Sequence, residues 1–440
     1  MPQHPFDKAY SHLQALRRKF EGLLEAARKK IPHGQSARDS RQSASLRELP
    51  AFGTNPGNLR MFVHIPKRLP AMSPLVVALH GCSQTADEYD SGTGWSVLAD
   101  RLGFAVVYPE QQPANNPKNC FSWFLPGDTT RDHGEAKSIQ QMVAYAIAAF
   151  GLDRDRVFVT GLSAGGAMAS VMLATYPEVF AGGAIIAGLP YGSARSVQQA
   201  FDAMFKDQVH SADTLGDRVR AASSHQGPWP KISVWHGTAD PIVKPSNGEH
   251  ILAQWIDLHG LPSTPSFEES IGAHSRRVWT DASGDAVIES FIISGMAHGV
   301  PLGPSDDESN YGVAGAFFLE AGITSTHHIA GFWRLAEGVA QTSLTAVVAP
   351  ELDSLEANSA LAFARAADRT QRNTDGAASK RQAKQNAQAL LDPNVVIAAA
   401  FKAAGLPVPE LPNASAGATP GVAPLPIIRA ALRAAGLNRK

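Results

Sequence analysis

Arg156-Val157-Phe158-Val159-Thr160 runs straight into Gly161-Leu162-Ser163-Ala164-Gly165-Gly166, and the reading of this stretch decides the fold. The first part is a short apolar, β-branched run, which predicts a buried strand. Residues 167–173 (Ala, Met, Ala, Ser, Val, Met, Leu) then read as a helix that ends before Pro177. A serine between strand and helix, with glycine two places before and two places after it, fits a turn too tight for larger side chains. Such an elbow pushes the hydroxyl out beyond the carboxyl end of a sheet, where a base can reach it. The bare five-residue pattern is common enough to arise by accident, so its surroundings must carry the reading.

Working outward, residues 61–65, 75–79, 104–108, 183–186, 232–235 and 287–292 also read as strands, with helical stretches between them. The clearest helix covers 135–150, where Ile139, Met142, Val143, Ala146, Ile147 and Phe150 recur at three-and-four spacing. Continuously apolar strands alternating with helices predict an α/β fold: a mostly parallel sheet covered by helices on both faces. Ligands of such sheets sit beyond the carboxyl ends of the strands, where Ser163 falls. This α/β body is expected over residues 46–336.

Residues 1–45 read as an N-terminal amphipathic helix and linker. Leu13, Leu16, Phe20, Leu23 and Leu24 share one face, lysines and arginines take the other, and 34–45 is polar. A helix docked on the body is the expectation, with a membrane-surface or partner-binding helix as the alternative. Beyond 337 alanine dominates and aromatics almost vanish. There, Val396-Ile397-Ala398-Ala399-Ala400-Phe401-Lys402-Ala403-Ala404-Gly405-Leu406 recurs as Ile427-Ile428-Arg429-Ala430-Ala431-Leu432-Arg433-Ala434-Ala435-Gly436-Leu437. Residues 337–440 are therefore expected to form a helical, partly disordered extension. Its two helices would fold back on the body or join two protomers, with binding to a polymer granule as the alternative.

Composition narrows the function classes. The 440 residues are 44% hydrophobic and 18% charged, with a formal net charge of -1. There is no basic excess to attract nucleic acid, and no apolar run reaches the ~20 residues of a membrane span. Lys8, Arg17, Arg18, Lys19, Arg28, Lys29 and Lys30 interrupt every apolar core a secretory leader would need, which predicts cytoplasmic residence. The two cysteines, Cys82 and Cys120, are too few for a disulfide framework or a structural zinc site. A single bridge would argue for an oxidising compartment, and this point stays open.

A serine hydroxyl needs a base, usually a histidine held by a carboxylate. When the serine stands on an elbow, the chain order is Ser, then Asp or Glu, then His. Asp240 follows a strand in Val234-Trp235-His236-Gly237-Thr238-Ala239-Asp240-Pro241, and His298 follows one in Ser294-Gly295-Met296-Ala297-His298-Gly299. His236 and His274 are the rivals: the first lies inside the turn carrying the acid, and the second precedes its strand. The backbone N–H of Ala164 is one candidate donor for an oxyanion. The other is that of Cys82, in Leu79-His80-Gly81-Cys82-Ser83-Gln84. Trp123 and Tyr191 are candidate substrate walls, as flat aromatic rings able to line a pocket. No metal or cofactor is called for.

These stretches resemble, in order, the poly(3-hydroxybutyrate) depolymerase family of esterases within the α/β-hydrolase superfamily. Tyr108-Pro109-Glu110-Gln111, Asn119-Cys120-Phe121-Ser122-Trp123-Phe124 and Gly188-Leu189-Pro190-Tyr191-Gly192 belong to the same likeness, which spans about residues 50–335. The resemblance implies a triad of Ser163, Asp240 and His298, and pairing of Cys120 with Cys82 beside the oxyanion. Phe121 and Ser122 stand where the family often has a second tryptophan. It further implies hydrolysis of hydroxyalkanoate polymer or oligomers, with feruloyl or acetylxylan esters as the alternative and an extracellular setting as for many relatives. A granule- or partner-binding protein without need of its active site is the reading from another class.

Overall fold

Six short runs dense in Val, Ile, Leu and Ala become parallel strands at the centre of one ten-stranded sheet. The computed structural model describes residues 5–29, 46–337 and 347–348. In chain order the sheet contains β1 (Arg47–Glu48), β2 (Arg60–His64), β3 (Leu75–Leu79), β4 (Ala105–Glu110), β5 (Val157–Leu162), β6 (Gly182–Ile186), β7 (Lys231–Gly237), β8 (Phe267–Ile271), β9 (His274–Thr280) and β10 (Ala286–Ile293). Across the sheet the order is β1-β2-β4-β3-β5-β6-β7-β10-β9-β8. The parallel strands are β4, β3, β5, β6, β7 and β10; the others run antiparallel and extend the two edges. Every residue of β3, β4, β5 and β6 is buried, as strands covered on both faces require.

All seven strand stretches read from the sequence lie in this sheet. The hairpin of β8 and β9 was not foreseen. Its outer strand, Phe267–Ile271, is almost wholly exposed and carries Glu268 and Glu269, so it lacks the apolar run that marks a buried strand. The charges have a use there. Arg276 of β9 reaches Glu269 at 2.7 Å and the buried Glu289 of β10 at 2.8 Å, and a charged rim discourages the sheet from pairing with a further strand.

The helices are α1 (Pro5–Lys29), α2 (Ala86–Thr93), α3 (Trp95–Leu102), α4 (Gly134–Phe150), α5 (Ala164–Thr175), α6 (Val197–Phe205), α7 (Ala212–Arg220), α8 (Ser246–His259) and α9 (Ser325–Phe332). All twelve residues of α5 are buried, which explains a sequence that is apolar or small on every side. α1 docks on the body as expected: Leu24 is buried, and Phe20 meets Phe201 of α6 edge-on with ring centres 5.8 Å apart. No described helix is long and apolar enough to cross a membrane. The chain divides into two units, residues 1–360 and 361–440. The 34–45 linker, the two repeat helices and most of the expected helical extension lie outside the described residues; Val347–Val348, within that extension, is a strand that pairs antiparallel with Arg68–Leu69.

The approach of α5 to β3 depends on Gly165. A Cβ there would sit 2.2 Å from the carbonyl oxygen of Leu79 and 2.5 Å from that of His80, both backbone atoms that cannot move aside cheaply. Gly165→Ala should therefore destabilise the fold by about 3 kcal/mol despite the better helix propensity of alanine. Equilibrium denaturation of the variant checks this, and unchanged stability would contradict the packing.

Candidate active site

Ser163 is the hinge between β5 and α5. Its backbone takes φ 59° and ψ -117°, a strained conformation for a residue with a side chain, and its N–H donates to the carbonyl of Ile186 at 2.9 Å. A Cβ at Gly161 would lie 2.4 Å from the backbone of Gly165, so the two small residues expected on either side of the serine meet each other inside the turn. Ser163 and Ala164 both line a pocket of about 330 Å³.

Asp240 and His298 stand in the loops after β7 and β10, neighbouring parallel strands. Gly237 lets these loops close on each other, for a Cβ there would lie 2.2 Å from the carbonyl oxygen of Met296. The N–H of Ala239 donates to that same carbonyl at 3.0 Å, and the N–H of Gly295 donates to Thr238 Oγ1 at 2.8 Å. His298 Nδ1 thereby reaches Asp240 Oδ2 at 2.6 Å. The other oxygen, Oδ1, accepts the N–H groups of Ile242 at 2.8 Å and Val243 at 2.9 Å, which fixes the carboxylate plane. Burial alone would raise the Asp240 pKa, but His298 and His236 hold it well below the usual carboxylate range. An ionised Asp240 accepts a hydrogen bond from the Nδ1–H of His298, which in the neutral ring leaves Nε2 as the nitrogen without a proton. No hydrogen bond joins Ser163 to His298 in this structure, and such contacts commonly tighten only with substrate.

The rival histidines are accounted for. His236 Nε2 donates to the carbonyl of Val243 at 2.9 Å and stands 3.4 Å from the same Asp240 oxygen that His298 approaches to 2.6 Å. His274, at the start of β9, donates from Nε2 to the carbonyl of Ala321 at 2.6 Å and accepts the N–H of Ser294 on Nδ1 at 3.2 Å, so both ring nitrogens are engaged.

The loop after β3 is held by a buried polar network. His80 Nδ1 donates to the carbonyl of Gly81 at 2.8 Å, and its Nε2 accepts the N–H of Gln111 at 3.0 Å. These partners set the neutral tautomer, and burial pushes the imidazole down to about 4. Gln111 Nε2 donates in turn to Glu135 Oε1 at 2.6 Å, while Glu135 Oε2 accepts the N–H of Ser122 at 2.8 Å. The second anchor is covalent: Cys82 and Cys120 form a disulfide. Cys82 and Ala164 line the pocket together, and neither N–H has an acceptor among the described residues. Two unoccupied N–H donors beside a serine are what an oxyanion needs.

Substrate-wall expectations divide. Trp123 lines the Ser163 pocket and packs edge-on to Phe124, 5.2 Å between ring centres. Tyr191 lines a second cavity next door, which Trp123 and Phe124 share. Phe121, at the position of the expected tryptophan, is fully buried against His80 and touches neither cavity. Three groups escaped the sequence reading. His80 directly follows the apolar run 75–79, and Glu135 stands in a polar stretch that gives no sign of its burial. Phe20 is the third: with Arg17 and Glu21 of α1, it lines the Ser163 pocket. Its helical face was legible, but its target was not.

The profile of the family described as Esterase PHB depolymerase matches residues 62–279. The chain is 46% identical over 290 residues to poly(3-hydroxyalkanoate) depolymerase C of Paucimonas lemoignei, covering 66% of this chain and 70% of that protein. It is 36% identical over 266 residues to an acetylxylan esterase of Coprinopsis cinerea, covering 59% and 70% of the two chains. Among solved structures, an acetyl xylan esterase from Aspergillus awamori superposes with a TM-score of 0.54 at 28% identity, covering 58% of this chain and 94% of that one.

Two outcomes follow from the pocket and its support. Burial raises the Glu135 carboxyl well above its ordinary range, to about 7, against the opposing hydrogen bonds from Ser122 and Gln111. A carboxyl raised in the folded state contributes stability that is complete below the unfolded pKa and is lost as pH rises through about 7. Stability of the native protein should fall by up to ~3 kcal/mol between pH 4.5 and 8 on this account. Denaturation across that range should show a flatter profile for Glu135→Gln, and an unaltered profile would contradict the assignment. Phe20→Ala should raise KM for p-nitrophenyl octanoate about tenfold, equivalent to ~1.4 kcal/mol of lost apolar contact. The acetate ester, too short to need that wall, should change far less.

Proposed function

The chain belongs to the PHB depolymerase family of esterases, serine carboxylic ester hydrolases with the α/β-hydrolase fold, and on that premise we propose that it cleaves the backbone esters of poly(3-hydroxyalkanoate) chains or oligomers. The observation that carries the substrate choice is the lining of the Ser163 pocket. Phe20, Trp123, Phe124, Leu189, Phe201 and Val243 surround the serine with apolar surface. A branched hydroxyacyl unit gains from such walls, whereas a sugar acyl acceptor would lose hydration there without hydrogen bonds in return.

In the proposed mechanism Ser163 attacks the ester carbonyl while His298 Nε2 takes its proton. Asp240 keeps Nδ1 protonated and stabilises the imidazolium as it forms. The N–H groups of Cys82 and Ala164 receive the tetrahedral oxyanion, and each such donor is worth about 3 kcal/mol in the transition state. Collapse expels the alcohol with the proton from His298, and water then frees the acyl group by the same route. Trp123 serves as a wall of the site. The disulfide at the oxyanion loop favours work in an oxidising, extracellular setting over cytoplasmic residence.

A second reading, a carbohydrate esterase, is favoured by the likeness to acetylxylan esterases and by the polar second cavity beside Trp123. Release of 3-hydroxybutyrate from amorphous polymer should exceed release of acetate from acetylated xylan or ferulate from its sugar esters. The reverse order would select the second reading. Ser163→Ala should abolish both activities with the fold intact, and Asp240→Asn should lower kcat by about 10⁴. Turnover surviving Ser163→Ala would sink the mechanism.

A further inference from the structure

The second cavity, about 770 Å³, shares the Trp123 and Phe124 wall with the Ser163 pocket and is lined by two arginines and two aspartates that do not pair with one another. Arg195, ahead of α6, and Arg218, on α7, both line it, as do Asp202 and Asp217. The two carboxylates are already engaged: Asp202 with Lys206 at 2.7 Å, Asp217 with Arg220 at 2.9 Å. Those lying behind the cavity are engaged too, Glu249 with Arg277 at 2.6 Å and Asp207 with Lys244. No carboxylate among the described residues pairs with Arg195 or Arg218.

Arg218 is the more telling of the two. Its Nη1 is buried with no hydrogen-bond partner, and its Nη2 makes only a 3.5 Å contact with His210 Nδ1. The ring of His210 lies edge-on to that of His250, centres 5.8 Å apart, so imidazoles back the guanidinium where an acid would balance it. Burial and then the nearby Arg195 charge push the Arg218 pKa down. Buried polar groups are nearly always satisfied, and like charges gathered in a half-buried site are unfavourable unless an anion joins them. Planar guanidinium groups match a carboxylate with paired hydrogen bonds.

We propose that Arg195 and Arg218 bind the terminal carboxylate of a hydroxyalkanoate oligomer while an ester bond near that end lies at Ser163. The proposal rests on the polyester reading for its ligand and on the unpaired guanidinium groups for its site. Every poly(3-hydroxyalkanoate) chain ends in one carboxylate, and the alcohol fragment expelled when the tetrahedral species collapses is the fragment that carries it. Trp123 and Phe124, common to both cavities, give that fragment a continuous path. The enzyme then favours free-acid chain ends over capped ones.

The test compares the 3-hydroxybutyrate trimer acid with its methyl ester at constant ionic strength. Native protein should show a KM about tenfold lower for the acid, and Arg218→Gln should erase that preference. Arg195→Gln, at an exposed position that cannot endanger the fold, should reduce it. Equal KM values for the two trimers in the native protein, or a preference that survives both substitutions, overturns the site. Should neither trimer be hydrolysed, the polyester reading fails and the site is read separately. Sodium 3-hydroxybutyrate should then inhibit p-nitrophenyl butyrate turnover by native protein and inhibit the two variants several-fold less. Equal inhibition of all three overturns the carboxylate site whatever the natural ester is.

Discussion

The close contact of α5 with the end of β3 is the constraint on which the site depends. Gly165 brings the first turn of the helix against the carbonyl oxygens of Leu79 and His80. That contact sets Ala164 at the start of α5 beside Cys82 in the loop after β3, so two N–H donors from distant parts of the chain face one pocket. It also drives the strained backbone of Ser163, since a turn of that tightness has no relaxed alternative. The strain at Ser163 and the placement of the two N–H groups follow from one steric fact.

A second layer keeps that arrangement from relaxing. His80, Gln111 and Glu135 form a buried chain that ties the loop after β3 to the start of α4 and to the backbone of Ser122. Burying a carboxyl costs free energy, visible in the raised pKa of Glu135. The return is orientation: both segments joined by the Cys82–Cys120 bridge are also held by directional hydrogen bonds. On the opposite flank, Gly237 and the bonds from Ala239 and Gly295 lock the acid loop to the histidine loop. The reacting groups are thus set by backbone contacts before any substrate is considered.

The pocket itself is assembled from separate parts of the chain. α1 supplies Phe20 from far upstream, α6 supplies Phe201, and the disulfide loop supplies Trp123 and Phe124. Because Trp123 and Phe124 also wall the cavity of Arg195 and Arg218, an apolar site and a cationic one meet at a shared aromatic partition. The two differ in what they can hold: one gains by excluding water, the other by gaining an anion.

How much of this was legible follows from the range of each interaction. The parallel strands were readable because strands buried on both faces must be apolar throughout. The elbow, and the nearness of Asp240 to His298, were readable because each of these residues follows such a strand within a few positions. The β8–β9 hairpin escaped because an exposed, charged edge leaves no apolar signature. The amphipathic face of α1 showed that the helix docks, yet one face can pack on any apolar surface, and only the tertiary structure set Phe20 over Ser163. Likewise the sequence contains Arg195 and Arg218 as two ordinary basic residues. That Asp202 and Asp217 pair with Lys206 and Arg220 and not with these two arginines is a fact of three-dimensional neighbourhood. By itself, then, the sequence determined the strand-turn-helix chemistry, because short-range sterics and burial are written in adjacent residues. The folded structure decided what surrounds it, because packing partners far apart in the chain are chosen by shape and charge.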